Sequence, residues 1–204
     1  SKQRDKIKIG YYSPDFREHA VAYLLAELLE LHDKNQFELF GFYFGPPDSS
    51  KMHKRISSAF NQFIDVELKS DKDIALMSRE IGIDIAVDLT GFTALGRTDI
   101  FSYRAAPIQV NYLGYPGTTG AEYIDYIIAD NFTIPANFEN LYSEKIIRLP
   151  NVWSNLSLSK LNNTTSQITP AVKNIYSDPT LIYSAGKNPI ALRPVETAAG
   201  TIYV

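Results

Sequence analysis

From residue 6 to about residue 150, the apolar and polar positions of the chain follow two alternating patterns. Four short segments rich in β-branched and aromatic residues predict buried strands: residues 7–12, 39–44, 85–89 and 109–113. Between them, apolar residues recur every three or four positions and predict amphipathic helices: residues 19–32, 50–63 and 70–82. This alternation is typical of an α/β fold with a mostly parallel, Rossmann-like sheet and helices on both faces.

Smaller signals refine these elements. Asp73 follows Ser70 at the spacing of a capping box, and Gly82 stands where the helix is expected to end. Further short strands are predicted at residues 63–68, 126–129 and 145–149. The aromatic residues at 37–44 are interpreted as core rather than as a platform for stacking a ligand.

The character of the chain changes after about residue 153. Residues 154–204 are rich in Asn, Ser and Thr, poor in charge, and interrupted by four prolines. We therefore predict two parts: a Rossmann-like lobe at residues 1–153 and a tail of uncertain structure at residues 154–204. Two β-prone pieces of the tail, residues 180–183 and 201–204, could form edge strands or irregular segments.

Composition narrows the classes of function. A net charge of −3 argues against nucleic acid as the main partner, because phosphate binding depends on clustered Lys and Arg. The absence of cysteine excludes disulfides, thiol nucleophiles and cysteine-ligated metals. The first residues are charged, unlike a signal peptide, and the apolar windows are too short to cross a bilayer. We expect a soluble, cytoplasmic protein without a membrane partner.

The first candidate for chemistry is the loop at residues 13–19 (SPDFREH), between the first strand and the first helix. Ligand crevices of parallel sheets lie at the carboxyl ends of the strands, where this loop emerges. Asp15 and His19 could position and deprotonate a substrate hydroxyl there. The alternative is that Asp15 caps the helix and His19 is a surface residue.

Two more loops follow strands. Residues 88–93 (DLTGFT) carry a glycine that permits close backbone approach, although an ordinary turn would look the same. Residues 113–120 (LGYPGTTG) offer backbone N–H and hydroxyl groups to a sugar or phosphate, but match neither a P-loop nor a dinucleotide fingerprint. His32 and His53 lack partners at metal-ligand spacing and are interpreted as surface residues.

Taken together, four strings resemble a known family: IGYYSPDFREHAVAYLL, DIAVDLTGFT, APIQVNYLGYPGTTGAEYIDYIIAD and YSEKIIRLP. In this order they look like the N-terminal catalytic lobe of the O-linked N-acetylglucosamine transferase and SPINDLY-like family, glycosyltransferase family 41, in its bacterial type. The resemblance covers about residues 6–153. It implies a GT-B architecture, in which two Rossmann-like lobes face a cleft, and inverting transfer of a sugar from a UDP-sugar to Ser or Thr hydroxyls of a protein or peptide.

The resemblance also implies site residues. His19 and Asp15 become the candidate catalytic residues. Candidate substrate-binding residues come from the three loops: Glu18, Gly91, Thr93, Leu113, Gly114, Tyr115, Pro116, Gly117 and Thr118. The UDP-sugar is the donor substrate, and neither a cofactor nor a metal is expected.

Departures from the family pattern leave an alternative open. Residues 154–204 contain no counterpart of the second, donor-binding lobe, and the tandem helical repeats usual upstream are absent. Glu18, Val21 and Phe92 stand where relatives carry other residues, which bears on the choice of sugar and acceptor. We expect this chain to be incomplete for catalysis, with a donor lobe as a missing partner. The alternative is a noncatalytic Rossmann-like module that binds a protein or sugar; an epimerase-like fold is disfavoured because GxGxxG is lacking.

Overall fold

The structure, a computed structural model, describes residues 6–149, 194–197 and 200–203. Within residues 6–149, every strand pairs in parallel with its neighbours in one seven-stranded sheet. The strands are β1 (Ile7–Ser13), β2 (Phe37–Tyr43), β3 (Gln62–Asp65), β4 (Ile85–Asp88), β5 (Ile108–Tyr112), β6 (Tyr126–Ala129) and β7 (Lys145–Arg148). The predicted parallel sheet is confirmed.

The strand order is β3-β2-β1-β4-β5-β6-β7. The chain therefore builds outward from β1 through β2 to β3, then returns to the other side of β1 and continues from β4 to β7. Such a reversal is the topological switch point of a doubly wound sheet, and a crevice opens there at the carboxyl ends of the strands. In this chain the switch point lies between β1 and β4.

Helices cover both faces of the sheet, as predicted. They are α1 (Ala20–Leu31), α2 (Lys51–Ala59), α3 (Asp71–Ile81) and α4 (Asp99–Ser102), with a 3₁₀ helix at Ala136–Leu141. On one face, α1 and α2 pack through residues such as Leu25 and Ile56. On the other face, α3 and α4 pack through Ile74 and Phe101 against Tyr12. Because buried strands contact helices on both sides, they read as nearly continuous apolar runs in the sequence.

Two predicted boundaries are wrong. Helix α2 ends at Ala59 rather than at residue 63, and β3 occupies Gln62–Asp65 rather than residues 63–68. The cause is a tertiary contact, since the Asn61 backbone N–H donates to the Leu39 carbonyl while the Asn61 side-chain oxygen accepts from the Leu39 N–H. These two hydrogen bonds end the helix before Asn61 and place the following residues beside β2.

The predicted helix ends of α3 are confirmed. The Ser70 hydroxyl accepts from the Asp73 N–H at 3.1 Å. Gly82 ends the helix with φ of 79°, a left-handed conformation that favours glycine.

In the tail, β8 (Pro194–Thr197) and β9 (Gly200–Tyr203) pair antiparallel in a separate two-stranded sheet. Of the two alternatives left open for residues 201–204, the structure has a strand, β9, which lies in this separate sheet. Residues 180–183 and the predicted boundary near residue 153 lie outside the described residues. The division into residues 1–153 and 154–204 stays a prediction. In the part of the chain that the structure describes, no helix has the length and apolar character needed to cross a membrane.

Candidate functional site

Three loops emerge side by side along the carboxyl edge of the sheet. The β1 loop (residues 14–19), the β4 loop (residues 89–93) and the β5 loop (residues 113–120) follow strands that are neighbours in the sheet. The β1 and β4 loops flank the switch point itself. All of the site residues predicted from the sequence therefore lie at the edge where a doubly wound sheet binds ligands.

In the β1 loop, Asp15 lies between two cationic or ionisable side chains. Its Oδ1 accepts from the Arg17 guanidinium at 3.1 Å, and its Oδ2 lies 3.6 Å from Nδ1 of His19. Asp15 is buried, whereas the His19 side chain is 39% exposed. A buried carboxylate beside a more exposed imidazole is an arrangement that supports hydrogen bonding or proton transfer with a bound substrate.

The predicted alternative, in which Asp15 caps the first helix, is wrong. His19 is the N-cap of α1: its backbone is extended, and its Nδ1 accepts from the Val21 N–H at 3.3 Å. The same imidazole therefore has a structural contact through Nδ1, whereas Nε2 has no hydrogen-bond partner among the described residues. Sequence reasoning preferred Asp for this role because aspartate is a common N-cap.

This cap decides which chemistry His19 offers. While Nδ1 accepts a hydrogen bond, the neutral imidazole carries its proton on Nε2, so that Nε2 can donate to an oxygen of the substrate. To take up a proton, the ring would use Nδ1 and release Val21, with Asp15 at 3.6 Å to stabilise the resulting cation. In this geometry His19 can donate a hydrogen bond through Nε2 directly. It can act as a base only after Nδ1 releases the Val21 N–H.

Helix α2 supports the β1 loop, which the sequence did not reveal. Nδ1 of His53 lies 2.7 Å from the Phe16 carbonyl oxygen, and the Met52 N–H donates to Oε1 of Glu18 at 3.3 Å. Glu18 is exposed and also accepts from the Tyr23 hydroxyl. The interpretation of His53 as a surface residue is wrong, because its ring packs on Tyr43 and Phe63.

His32 is also better packed than expected. Its Nδ1 lies 2.7 Å from the Leu28 carbonyl oxygen, and its Nε2 lies 3.2 Å from the Tyr11 hydroxyl. Burial lowers the pKa of His32. Its position on the α1 face, away from the three loops, gives it a packing role.

The β4 loop is organised by Asp88. Its Oδ1 accepts from the backbone N–H groups of Thr90 at 2.9 Å and Gly91 at 3.0 Å. Gly91 has φ of 54°, and a Cβ there would lie 2.5 Å from Cβ of Tyr115. Thr93 is exposed, and its hydroxyl donates to the Thr90 carbonyl at 2.8 Å. The predicted residues Gly91 and Thr93 thus shape the loop, and Gly91 lets the β5 loop approach.

Several polar atoms beneath these loops have no partner in the part of the chain that the structure describes. They are Oδ2 of Asp88, the hydroxyl of Thr90 and Oδ1 of Asn111. Asp88 and Asn111 are paired across β4 and β5, and all three residues are at most 2% exposed. Burial raises the pKa of Asp88 to about 6, although the Gly91 and Thr90 N–H groups oppose that shift.

The β5 loop begins with a tight turn. Leu113 adopts φ of 73°, which is costly for a residue with a side chain, and the Gly114 N–H donates to the Tyr112 carbonyl at 2.9 Å. Beyond the turn, the Tyr115 ring stands edge-on to Phe92 of the β4 loop at 5.7 Å. The β4 and β5 loops therefore form one packed surface.

Backbone donors of the β5 loop are available to a ligand. The N–H groups of Tyr115, Gly117 and Thr118 have no hydrogen-bond partner among residues 6–149. By contrast, the carbonyls of Tyr115 and Pro116 accept from Asn111 at 3.0 Å and from the Tyr142 hydroxyl at 2.9 Å. With carbonyls engaged and N–H groups unengaged, the loop can donate to sugar or phosphate oxygens.

The close packing of Gly114 gives a direct test of this architecture. A Cβ at residue 114 would lie 1.9 Å from the Leu89 carbonyl oxygen. Because that neighbour is backbone, Gly114→Ala must displace the β4 or β5 loop, and we expect it to lower the free energy of unfolding by roughly 1–3 kcal/mol. Chemical denaturation measures this. Unchanged stability of Gly114→Ala would contradict the tight approach.

The β1 and β5 loops are separated by β4. Two strand spacings place the ends of β1 and β5 roughly 10 Å apart. Among the described residues, the hydrogen bonds of Asp15 and His19 stay within the β1 loop and the start of α1. The close approach of these two side chains to residues 113–118, expected from the sequence, stays a prediction. No group of three or more His, Cys, Asp or Glu in the described ranges could hold a metal ion.

A doubly wound parallel sheet with polar loops at its switch point defines a Rossmann-like lobe of the kind that handles nucleotides and sugars. Residues 1–156 match the model of glycosyl transferase family 41. The chain belongs to this family, which confirms the resemblance carried by the four sequence strings.

Two curated relatives have similar sequences. A probable UDP-N-acetylglucosamine–peptide N-acetylglucosaminyltransferase, SEC, of Arabidopsis thaliana is 37% identical over 148 residues, which are 72% of this chain and 15% of the relative. The UDP-N-acetylglucosamine–peptide N-acetylglucosaminyltransferase of Caenorhabditis elegans is 32% identical over 149 residues, 72% of this chain and 13% of the relative. The chain thus spans about one seventh of these proteins.

A solved structure has the same fold. An O-GlcNAc transferase mutant from Thermobaculum terrenum aligns with a TM-score of 0.70 and 32% identity. The alignment covers 72% of this chain and 28% of that protein. The Rossmann-like lobe is therefore shared with an O-GlcNAc transferase, of which it matches a part.

Proposed function

We propose that this chain is the acceptor-side lobe of an inverting transferase that moves N-acetylglucosamine from UDP-N-acetylglucosamine to Ser or Thr hydroxyls of proteins. The observation that carries the proposal is the edge formed by the β1, β4 and β5 loops. It combines an oriented imidazole at His19 with unengaged backbone donors in the β5 loop. The printed names of the relatives supply the donor sugar and the peptide acceptor.

In this proposal the two outer loops have different tasks. His19, held by the hydrogen bond from the Val21 N–H, contacts the acceptor hydroxyl or the sugar from the β1 side. The N–H groups of residues 115, 117 and 118 contact oxygens of the donor from the β5 side, while Leu113, Gly114 and Pro116 shape that loop. Glu18, exposed beside His19, extends the acceptor surface. An inverting transfer also needs the leaving diphosphate to be stabilised, and we assign that task to a second lobe that is no part of this chain.

Other features of the proposal follow from the chemistry. Displacement at the sugar carbon by an oriented hydroxyl needs no cofactor, and we propose that no metal takes part. The acidic balance of the chain, at −3, favours a protein or peptide over nucleic acid as acceptor. Cytoplasmic location is likewise proposed, since the cysteine-free sequence is compatible with it.

Binding of the donor by the 204-residue chain tests whether the diphosphate site lies in the second lobe. We expect calorimetric titration with UDP and with UDP-N-acetylglucosamine to show weak binding or none, because this proposal assigns the groups that neutralise the diphosphate to the second lobe. Micromolar affinity for UDP would place the donor site in this lobe and contradict the proposal. The alternative function, a noncatalytic binding module, predicts in addition that the full-length protein transfers no sugar.

A further inference from the structure

A buried carboxylate contacts the far end of the β5 loop. Glu144, only 4% exposed, stands just before β7. Its Oε2 accepts from the Thr118 hydroxyl at 2.7 Å, and its Oε1 accepts from the Thr119 N–H at 2.6 Å and from the Thr119 hydroxyl. The Ser143 hydroxyl donates to Oε2 at 3.1 Å. Three of these four hydrogen bonds come from the β5 loop.

Hydroxyl and backbone N–H groups donate hydrogen bonds that stabilise the negative charge of Glu144. Burial alone would raise the pKa of Glu144, but the hydrogen bonds from Thr119 and Thr118 outweigh burial and lower it below the ordinary value. The carboxylate is therefore ionised at neutral pH. Hydrogen bonds to a charged acceptor are stronger than neutral ones, so Glu144 restrains the two threonines firmly.

The residues before Glu144 extend the contact along the loop. The Tyr142 hydroxyl donates to the Pro116 carbonyl at 2.9 Å, and the Ser143 N–H donates to the Thr118 hydroxyl at 3.2 Å. At the other end of the loop, Asn111 donates to the Tyr115 carbonyl. The unengaged N–H groups of residues 115, 117 and 118 are therefore held between two fixed ends.

We propose that Glu144 is a positioning residue for sugar transfer: it fixes Thr118 and Thr119 so that the β5 loop presents its free N–H groups to the substrate in one conformation. The inference rests on the proposed function, in which that loop contacts the donor or acceptor. Glu144 touches no substrate itself. Its effect passes through the geometry of the loop, where a displacement of about 1 Å can lower a rate by up to about 10²-fold.

The test compares Glu144→Gln with Glu122→Gln in the full-length protein. Glutamine keeps the size of the side chain but replaces one acceptor oxygen by an NH₂ group. That NH₂ group is a hydrogen-bond donor placed against the N–H and hydroxyl donors of Thr118, Thr119 and Ser143. We expect hydrogen exchange of the Thr119 and Gly120 N–H groups, which are hydrogen-bonded at this end of the loop, to become at least about 10-fold faster, with the rest of the sheet unchanged. We expect kcat/KM for transfer to fall roughly 10- to 100-fold. Glu122 is exposed, so Glu122→Gln is expected to change neither quantity.

A second pair of variants separates the hydroxyl contact from packing. Thr119→Ser keeps a hydroxyl and is expected to behave like the native protein, whereas the near-isosteric Thr119→Val is expected to shift exchange and kcat/KM in the same direction as Glu144→Gln. Unchanged exchange of the Thr119 and Gly120 N–H groups in Glu144→Gln would overturn the inference. Equally accelerated exchange throughout the sheet would overturn it too, since Glu144 would then stabilise the whole fold. If the native full-length protein transfers no sugar, only the proposed function is contradicted, because the exchange rates still decide whether Glu144 fixes the loop.

Discussion

Replacement of His19 by alanine in the full-length protein is expected to lower the rate of sugar transfer by roughly 10²-fold or more, the scale of a positioned acid–base or hydrogen-bonding group. The imidazole lies beside a buried carboxylate and is 39% exposed, so that a substrate can reach it. The change also removes the N-cap of α1, which costs about 1 kcal/mol of stability. Initial rates with UDP-N-acetylglucosamine and a Ser/Thr peptide measure the first effect, and chemical denaturation measures the second.

His19→Asn separates the two roles of this residue. Asparagine is a good N-cap and can accept from the Val21 N–H as Nδ1 does now, so we expect its stability to match or exceed the native value. Its transfer rate should stay as low as that of His19→Ala, because the shorter side chain offers no donor at the place of Nε2. Native transfer by His19→Asn would show that His19 serves the helix alone.

The second large effect concerns Asp88 and the dependence of stability on pH. Burial raises its pKa from 3.8 to about 6 in the folded protein, so the folded state binds the proton more tightly than the unfolded chain. Binding of this proton stabilises the folded state. The stabilisation is fully present below pH 3.8 and is lost as the pH rises to about 6. By linkage, the loss amounts to about 3 kcal/mol, and above about pH 6 the contribution stays constant.

Asp88→Asn should remove this loss. The amide oxygen can still accept from Thr90 and Gly91, and its NH₂ group can donate to the Oδ1 of Asn111, which has no partner among the described residues. We expect the free energy of unfolding at pH 7.5 to rise by up to about 3 kcal/mol, and its fall between pH 4 and 6 to become shallower. Asp99→Asn, at an exposed residue, is the control. A lower stability of Asp88→Asn at pH 7.5 would mean that the ionised carboxylate is needed for the β4 loop.

The sheet could be predicted from the sequence because its strands are buried on both faces. Residues 7–12 and 109–113 are short segments rich in β-branched and aromatic residues and followed by turn residues, and they coincide with β1 and β5 to within one residue. The end of α2 could not be predicted, since it is fixed by Asn61 pairing with Leu39, 22 residues away. Helix α4 has only four residues, too few for a helical period to show.

The site was predictable to the level of its loops but not of its contacts. Chain order and the rule for carboxyl edges of parallel sheets place the β1, β4 and β5 loops together. The N-cap of α1 could not be predicted, because it depends on the backbone conformation of the loop. Aspartate is the commoner N-cap, but His19 caps this helix. The role of Glu144 rests on contacts with residues 25 and 26 positions earlier, so no local pattern marks it.

Transfer of N-acetylglucosamine, followed by mass spectrometry of a Ser/Thr peptide, tests the central claim most directly. The assay compares the native full-length protein, its His19→Asn variant and the 204-residue chain, each with UDP-N-acetylglucosamine. We predict that the native full-length protein adds one N-acetylhexosamine to the peptide, that the variant does so roughly 10²-fold more slowly, and that the 204-residue chain adds none. No transfer by the native full-length protein, or transfer by the 204-residue chain alone, would contradict the assignment of this chain as the acceptor-side lobe of a two-lobed transferase.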